Sequence, residues 1–476
     1  MTEVLVIYNA HLVDCNIDSL GAVVVVGGKI RTVFLGNCPD QQSAAKLVGA
    51  LVSDLGSNLL PSYFDARKRT LLPAFIDMHV HFRYPGQTQK EDLDSGLHAA
   101  IAGGFGTLVL MPNTAPVIST RKQALAVEQE AAKRKLCRIF QTQSITKAFD
   151  GEDISELDSL SATETPVITE DGHDVNSAAV MFEAMRKAGK HGVMVSCHCE
   201  DVQLAQAAKP YRERALGFMK KYGIPADRWT YKPKEVPSSV EYEIDGCFTA
   251  ANHLLELAEN VATDRNIALA NEAGCHIHIA HCSTAHCLEA IRRVKRHIAQ
   301  GKTNPGFSCT VEVTPHHLSL AGTEAPFLRA LVNPPLRSED DRRAVIEAIQ
   351  DGTVDVISTD HAPHTAEDKA SGCPGFTGLE TSFAVCHTVL CKKEGLPLTK
   401  LSALMSARPA EILGLDAGSF TVGYDADFVL VDTEETWIVD SGAFYSKGHA
   451  TPQNGSELTG RVHATFLGGR QVFALR

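Results

Sequence analysis

The sequence predicts an α/β fold: a (β/α)8 TIM-like barrel carrying a small β-sandwich domain formed from both chain termini. Three observations predict it. Eight short apolar segments alternate with segments of helical periodicity through the middle of the chain, the pattern of parallel strands covered by helices. Both ends are rich in branched apolar residues split by turn signals, which reads as strands. No Gly-rich phosphate loop follows the first strand of the middle region, which disfavours an open doubly wound sheet. With 476 residues the chain accommodates a barrel and a second unit.

The N-terminal strands are "VLVIYNAHLV", "GAVVVVGGKI" and "RTVFLG"; the polar, small-residue stretch 37–62 reads as a surface connection or insertion. The barrel strands follow in order: 74–80 "AFIDMHV", 107–112 "TLVLMP", 138–143 "RIFQTQ" and 166–170 "PVITE". Then come 193–198 "VMVSCH", 276–281 "HIHIAH", 308–315 "SCTVEVTP" and 354–360 "VDVISTD". Helical spacing is clearest in "NSAAVMFEAMRKAG" and "STAHCLEAIRRVKRHIAQG". The chain ends in "GSFTVGYDADFVLVDTEETWIV" and "GRVHATFLGGRQVFAL", again strand-like. The expected division is therefore 1–70 and 411–476 for the β domain and 71–410 for the barrel.

Hydrophobic residues make up 44% and charged residues 21%, enough for a sizeable core. A net charge of -12 argues against nucleic acid as a partner, so an anionic small-molecule substrate must be held by local positive charge. The start "MTEVLVIYNAHLVD" lacks a basic segment before an apolar one, and no apolar run approaches the roughly 18 residues of a membrane span. A cytoplasmic protein without membrane contact is expected. The 13 cysteines show no repeated pair spacing and read as free thiols.

In such a barrel the chemistry sits at the C-terminal ends of strands. The first barrel strand ends in His79 and His81, which share a strand face because they are two apart; Phe75 and Asp77 are expected on that face too. The fourth ends in Asp171, the fifth in His198, the sixth in His281 and the eighth in Asp360. Each has an ordinary reading: an isolated HxH is more often surface or core, and an Asp before "HAPH" is often a helix cap. Their coincidence at strand ends favours metal. Imidazoles and carboxylates suit zinc, cobalt or manganese, and six ligands suit two ions sharing a bridging group. Parity turns Cys197 and Cys199 away from His198 and sets His276 and His278 apart from His281, so these read as structural, as do His316 and His317, with His278 kept as a rival ligand. Arg83 can grip a carboxylate through two hydrogen bonds, with a surface ion pair as the equal alternative. Asn113 ends the second strand, and Asn333 lies in the Pro-containing loop "LVNPPLR".

The motifs "DMHVHFRYPGQTQKED", "AAIAGGFGTLVLMPNTAP", "ITEDGHDVNSAAVMFEAM", "HIAHCST", "EVTPHHL", "NPPLRSEDDRRAV" and "STDHAPHTAEDK" resemble those of dihydroorotases, within the cyclic amidohydrolases. The likeness runs over nearly the whole chain, through "RPAEILGL" and "GYDADFVLVD". It implies an enzyme with two Zn2+ ions that interconverts N-carbamoyl-L-aspartate and L-dihydroorotate in pyrimidine (UMP) biosynthesis. By motif, His79, His81, His198 and His281 match zinc ligands, and Asp171 matches the bridging aspartate of the bacterial-type branch. Asp360 matches the metal-bound acid/base. Arg83, Asn113 and His364 match contacts to the substrate carboxylate and ring, with Asn333, Pro374 and Gly375 on the other side. Hydantoinases, dihydropyrimidinases, allantoinases and other dihydroorotases usually use a carboxylated lysine as the bridge; no lysine ends the fourth strand, and Lys147, which follows the third, is the less favoured bridge. Tyr84, Gly106 and Glu170 depart from the family pattern beside the motif residues. The stretch 365–378 is expected to cover the substrate. A homodimer and aspartate carbamoyltransferase are the protein partners the resemblance suggests. A hydantoinase-like cyclic amide hydrolase and a non-catalytic scaffold stay open as alternatives.

Overall fold

The computed structural model describes residues 4–55, 61–224, 237–322 and 331–475. Eight parallel strands form its centre: β6 (Phe75–Val80), β7 (Phe105–Leu110), β8 (Arg138–Gln141), β9 (Val167–Thr169), β10 (Met194–Cys197), β11 (His276–Ile279), β12 (Ser308–Val313) and β13 (Val356–Ile357). β6, β7 and β8 pair in sequence, as do β9 to β13. Single parallel bridges, Gln143 to Ile168 and Val80 to His361, join the two arcs into a ring. β6, β7 and β10 are buried throughout, as strands packed on both faces require. Ile76, Met78, Val109, Met111, Val167, Met194 and Val356 pack together with Ala410 and Leu413. Side chains from strands around the whole ring meet only inside it, so this cluster is the barrel's interior plug.

The expected alternation along β6 fails at one end. Phe75 packs against Phe105 and Phe383, outside the ring, while Ile76 and Met78 join the interior. The pairing of β6 with β7 shifts between Asp77 and Val80, and such a slip changes which residues face inward. His79 and His81 still come together, with ring centroids 5.3 Å apart.

Helices cover the ring. Leu97 and Ile101 of the helix Leu93–Ala102, and Leu288 and Ile291 of Ala285–Ala299, bury against Leu108, Leu110, Ile277 and Val311. Local sequence sets where they begin: Asp92 accepts from the backbone N–H groups of Asp94 and Ser95, and Thr284 from that of Cys287. Between β10 and β11 the chain inserts two long helices, Val202–Lys221 and Ser238–Ala273.

Both termini build one further sheet. Its strands are β1 (Val4–Val13), β2 (Asp18–Val26), β3 (Lys29–Leu35), β4 (Ser62–Asp65), β5 (Thr70–Pro73), β14 (Phe428–Ile438), β15 (Glu457–Leu467) and β16 (Arg470–Ala474). The order is β16-β15-β14-β5-β1-β2-β3, with β4 also beside β1. The seam between the chain ends is the antiparallel pair β5–β14, with Leu72 opposite Val429. One face of β1 and β2 buries Ile7, Leu12, Val23 and Val25 with Leu71, Phe428 and Phe466. The other buries Val4, Val6 and Val24 beneath Ala44 and Val48 of the helix Gln41–Leu55. The stretch read as a surface connection or insertion carries this helix; its residues 56–60 lie outside the described ones. β5 runs straight into β6, so the sheet holds the base of the strand that ends in His79 and His81.

Candidate active site and metal centre

At the C-terminal mouth of the ring the six proposed ligands converge. His79, His81, Asp171, His198, His281 and Asp360 are all buried. Two triads of ligand atoms each fall within 4.8 Å, His79–His81–Asp171 and Asp171–His198–His281, and Asp171 belongs to both. Asp360 Oδ1 lies 3.2 Å from His81 Nε2 and 3.6 Å from His79 Nε2.

The hydrogen bonds fix the tautomers that a metal needs. His79 Nδ1–H donates to Glu312 Oε1 at 2.8 Å, and His81 Nδ1–H donates to Asn113 Oδ1 at 2.8 Å. Each ring is then left with a lone pair on Nε2, aimed at the cluster. His79 Nε2 and Asp171 Oδ1 are buried without a hydrogen-bond partner, though 3.2 Å apart. His198 Nδ1 faces His281 Nε2 at 2.9 Å. Orphaned donor atoms around a shared carboxylate fit divalent cations well. Burial works against the charge on Asp171, but the rings of His79, His198 and His281 around it hold its carboxyl well below the usual range. Asp360 is likewise brought down to about 2: burial opposes this, and the close His81 ring, with His79 and His281, outweighs it.

His281 and Asp360 have positive φ angles, 32° and 47°, as does Arg83 at 54°. Non-glycine residues held in this region carry strain that the surrounding structure must sustain, and such strain concentrates at functional sites.

The cluster opens into a cavity of about 210 Å³ lined by His81, Asp171, His198, His281 and Asp360. Arg83, Asn113, Asn333, His364, Pro374 and Gly375 line the same cavity. Arg83 is 8% exposed; its Nη2–H donates to His364 Nε2 at 3.2 Å and its Nε–H to the Pro363 carbonyl at 3.3 Å. Burial first, and Arg83 second, push His364 down to about 3, so its ring is a neutral acceptor. Asn113 bonds His81 and reaches Asp171 Oδ2 at 3.4 Å, so it supports the ligands as well as lining the cavity. The stretch 365–378 begins with the short helix Ala366–Ala370, and its Cys373, Pro374 and Gly375 form one cavity wall. Lys147 is exposed and no lysine lines the cavity among the described residues.

Sequence reasoning missed Glu312. It accepts from His79 Nδ1 and, at 3.2 Å each, from His278 Nε2 and the His281 backbone N–H. His278 therefore serves Glu312 and does not point at the cluster. The available signal was a glutamate inside the apolar strand "CTVEVT". Lys369 was missed as well. Its buried ammonium donates to the carbonyls of Leu331 (3.1 Å), Cys373 (2.8 Å) and Gly375 (2.8 Å), tying together the two segments that face the cluster across the cavity. His317 is structural, spanning Thr314 and the Pro334 carbonyl.

Residues 70–472 match the model of the amidohydrolase family. The chain belongs to that family. Curated relatives named dihydroorotase match along the chain: one from Clostridium botulinum is 33% identical over 98% of both proteins. Another, from Bacillus subtilis, is 34% identical over 86% of this chain and 88% of its own. Among solved structures, an L-hydantoinase (dihydropyrimidinase) from Arthrobacter aurescens superposes with a TM-score of 0.78 at 22% identity, covering 100% of this chain and 98% of its own. A dihydropyrimidinase from Brevibacillus agri gives 0.75 at 19%, covering 100% and 95%. At these identities the structural likeness speaks for the shared α/β barrel fold alone. A metal-dependent amidohydrolase centre accords with the paired His/Asp triads.

Proposed function

We propose that this protein is a dihydroorotase, which reversibly cyclises N-carbamoyl-L-aspartate to L-dihydroorotate and water in pyrimidine biosynthesis. The observation that carries the reading is a single cavity lined both by the ligand cluster around Asp171 and by the buried Arg83. A ring with an exocyclic carboxylate answers both features, and relatives of that name share a third of the sequence along nearly its full length. His79, His81, Asp171, His198, His281 and Asp360 would hold two Zn2+ ions. When bound, such ions lower the pKa of a shared water and polarise the amide carbonyl.

The chain's own residues supply the rest. In ring opening, Asp360 takes the proton of the attacking water and hands it to the ring nitrogen as the carbon–nitrogen bond breaks. In ring closure the ureido nitrogen attacks the protonated side-chain carboxyl, and Asp360 takes the nitrogen's proton and returns it to the departing hydroxyl, which leaves as water. Arg83 and Asn113 hold the second carboxylate, so the reacting groups meet in one orientation. His364 accepts from Arg83 and steadies its guanidinium fork. The same reading takes 71–410 as the barrel and 1–70 with 411–476 as a β-sandwich. It places the protein in the cytoplasm, with a homodimer and aspartate carbamoyltransferase as the assemblies to test.

The experiment compares ring opening of L-dihydroorotate, dihydrouracil and hydantoin by the wild-type protein and Arg83→Met. Dihydroorotate should be preferred by the wild type, and the variant should lose about 10- to 100-fold in KM for it with unchanged metal content, the cost of a charge-assisted pair. Preference for hydantoin or dihydrouracil would support the second reading, a hydantoinase-like hydrolase, for which a buried Arg83 has no partner on the substrate.

A further inference from the structure

Among the described residues of the helical insertion between β10 and β11, Arg212 hydrogen-bonds a residue that lines the cavity. Arg212, on the helix Val202–Lys221, donates from Nη1 to Asn333 Oδ1 at 2.7 Å and from Nη2 to the Val332 carbonyl at 3.4 Å. The segment it grips is fixed from behind. Leu331 and Val332 are buried against Ala215 and Met219 of the same helix, and Phe248 of the second inserted helix. Asn333 itself lines the cavity opposite the ligand cluster.

A guanidinium has five donors and no acceptor. The atom of Asn333 that meets Arg212 must therefore be the amide oxygen, whatever the two ends of an amide look like in a structure. The –NH2 group is what the side chain has left for the cavity. We propose that Arg212 is a positioning residue that holds the Asn333 amide with its N–H donors toward the substrate, so that this wall selects an acceptor, a ring carbonyl or carboxylate oxygen, at the facing position. The inference rests on the cavity being the substrate site of the proposed reaction. It makes substrate orientation depend on an element outside the barrel's βα frame. A freed amide turns through half a circle and offers its oxygen to the substrate's oxygen, losing one hydrogen bond and gaining a repulsion.

The test is a double-mutant cycle on the intact, metal-loaded protein: Arg212→Met, Arg212→Lys, Asn333→Ala, and Arg212→Met with Asn333→Ala. Each is assayed with whichever of L-dihydroorotate, dihydrouracil and hydantoin the wild type opens fastest. Arg212→Met should raise KM about tenfold with kcat within about threefold, the size of one positioned hydrogen bond. Arg212→Lys should recover part of that loss. In the Asn333→Ala background the Arg212→Met change should cost nothing further, because Arg212 acts only through that amide. Equal, additive losses in both backgrounds, or an unchanged KM, would overturn the proposal. Failure of the dihydroorotase reading shows separately, as a wild-type protein that opens another ring or none. In the last case a neutron crystal structure of Arg212→Met, which tells the amide's N–D group from its oxygen, decides: a turned Asn333 amide supports the role, and an unmoved one contradicts it.

Discussion

Glu312→Gln tests how far the metal centre depends on a residue that touches no substrate. Glu312 is fully buried and takes three hydrogen bonds: from His79 Nδ1 at 2.8 Å, from His278 Nε2 at 3.2 Å and from the His281 backbone at 3.2 Å. Its charge is held firmly. Burial opposes ionisation, yet His79 and the bonds from His278 and His79 keep the carboxyl well below the usual range. Glutamine removes the charge and turns one acceptor into a donor, so at least one of the three N–H groups loses its partner. Hydrogen bonds to charged groups contribute about 1.5–3 kcal/mol each, and about 1.4 kcal/mol is tenfold in affinity. Replacing the charged acceptor that orients His79 by a neutral one should therefore weaken the metal site about 10- to 100-fold, the range known for partners behind metal-bound histidines. The assay is zinc retained against a graded chelator, wild type beside variant, with thermal unfolding as the control for folding. A variant of normal thermal stability that keeps zinc as tightly as the wild type would refute the idea that Glu312 orients His79.

Asp360→Ala should lower turnover by about 10²–10⁴, the worth of a positioned acid/base, while metal analysis still finds zinc on the remaining ligands. Lys369→Met should destabilise the fold by about 3 kcal/mol in urea unfolding, because it strips the donor from the carbonyls of Leu331, Cys373 and Gly375; KM should rise as the cavity wall loosens. Asp92→Ala should cost about 1 kcal/mol at pH 7 through loss of the helix cap. Burial raises the Asp92 carboxyl, but Lys447 and Ser95 bring it down to about 2 from the ordinary 3.8. A lowered folded value means the contribution is complete above about pH 4 and is lost as pH falls toward 2, so the gap in melting temperature between the two proteins should close over that window.

What was legible in the sequence was whatever one strand or one loop carries by itself. Eight apolar runs gave the eight barrel strands, because strands buried on both faces must be apolar throughout. The proposed ligands stood out because each ends a strand, where a barrel places its chemistry. Side-chain parity served at His79 and His81 and failed at Phe75, since a shift in pairing register leaves no mark in the sequence. Glu312, Lys369 and Arg212 were hidden for a different reason. Their partners are distant in the chain, such as His79 for Glu312 and Asn333 for Arg212, and only the closed ring brings them together. The helix at Gln41–Leu55 went unread; among its described side chains Ala44 and Val48 bury against the terminal sheet, a partner the local sequence does not show.

The most direct test is ring opening of L-dihydroorotate by the purified protein, with metal quantified in the same sample. The account predicts turnover together with two zinc ions per chain, lost to a chelator and restored with zinc. Two bound metals with no turnover of dihydroorotate, while dihydrouracil or hydantoin is opened, would contradict the assigned substrate. A protein that stays inactive and metal-free after zinc is supplied would contradict the centre itself.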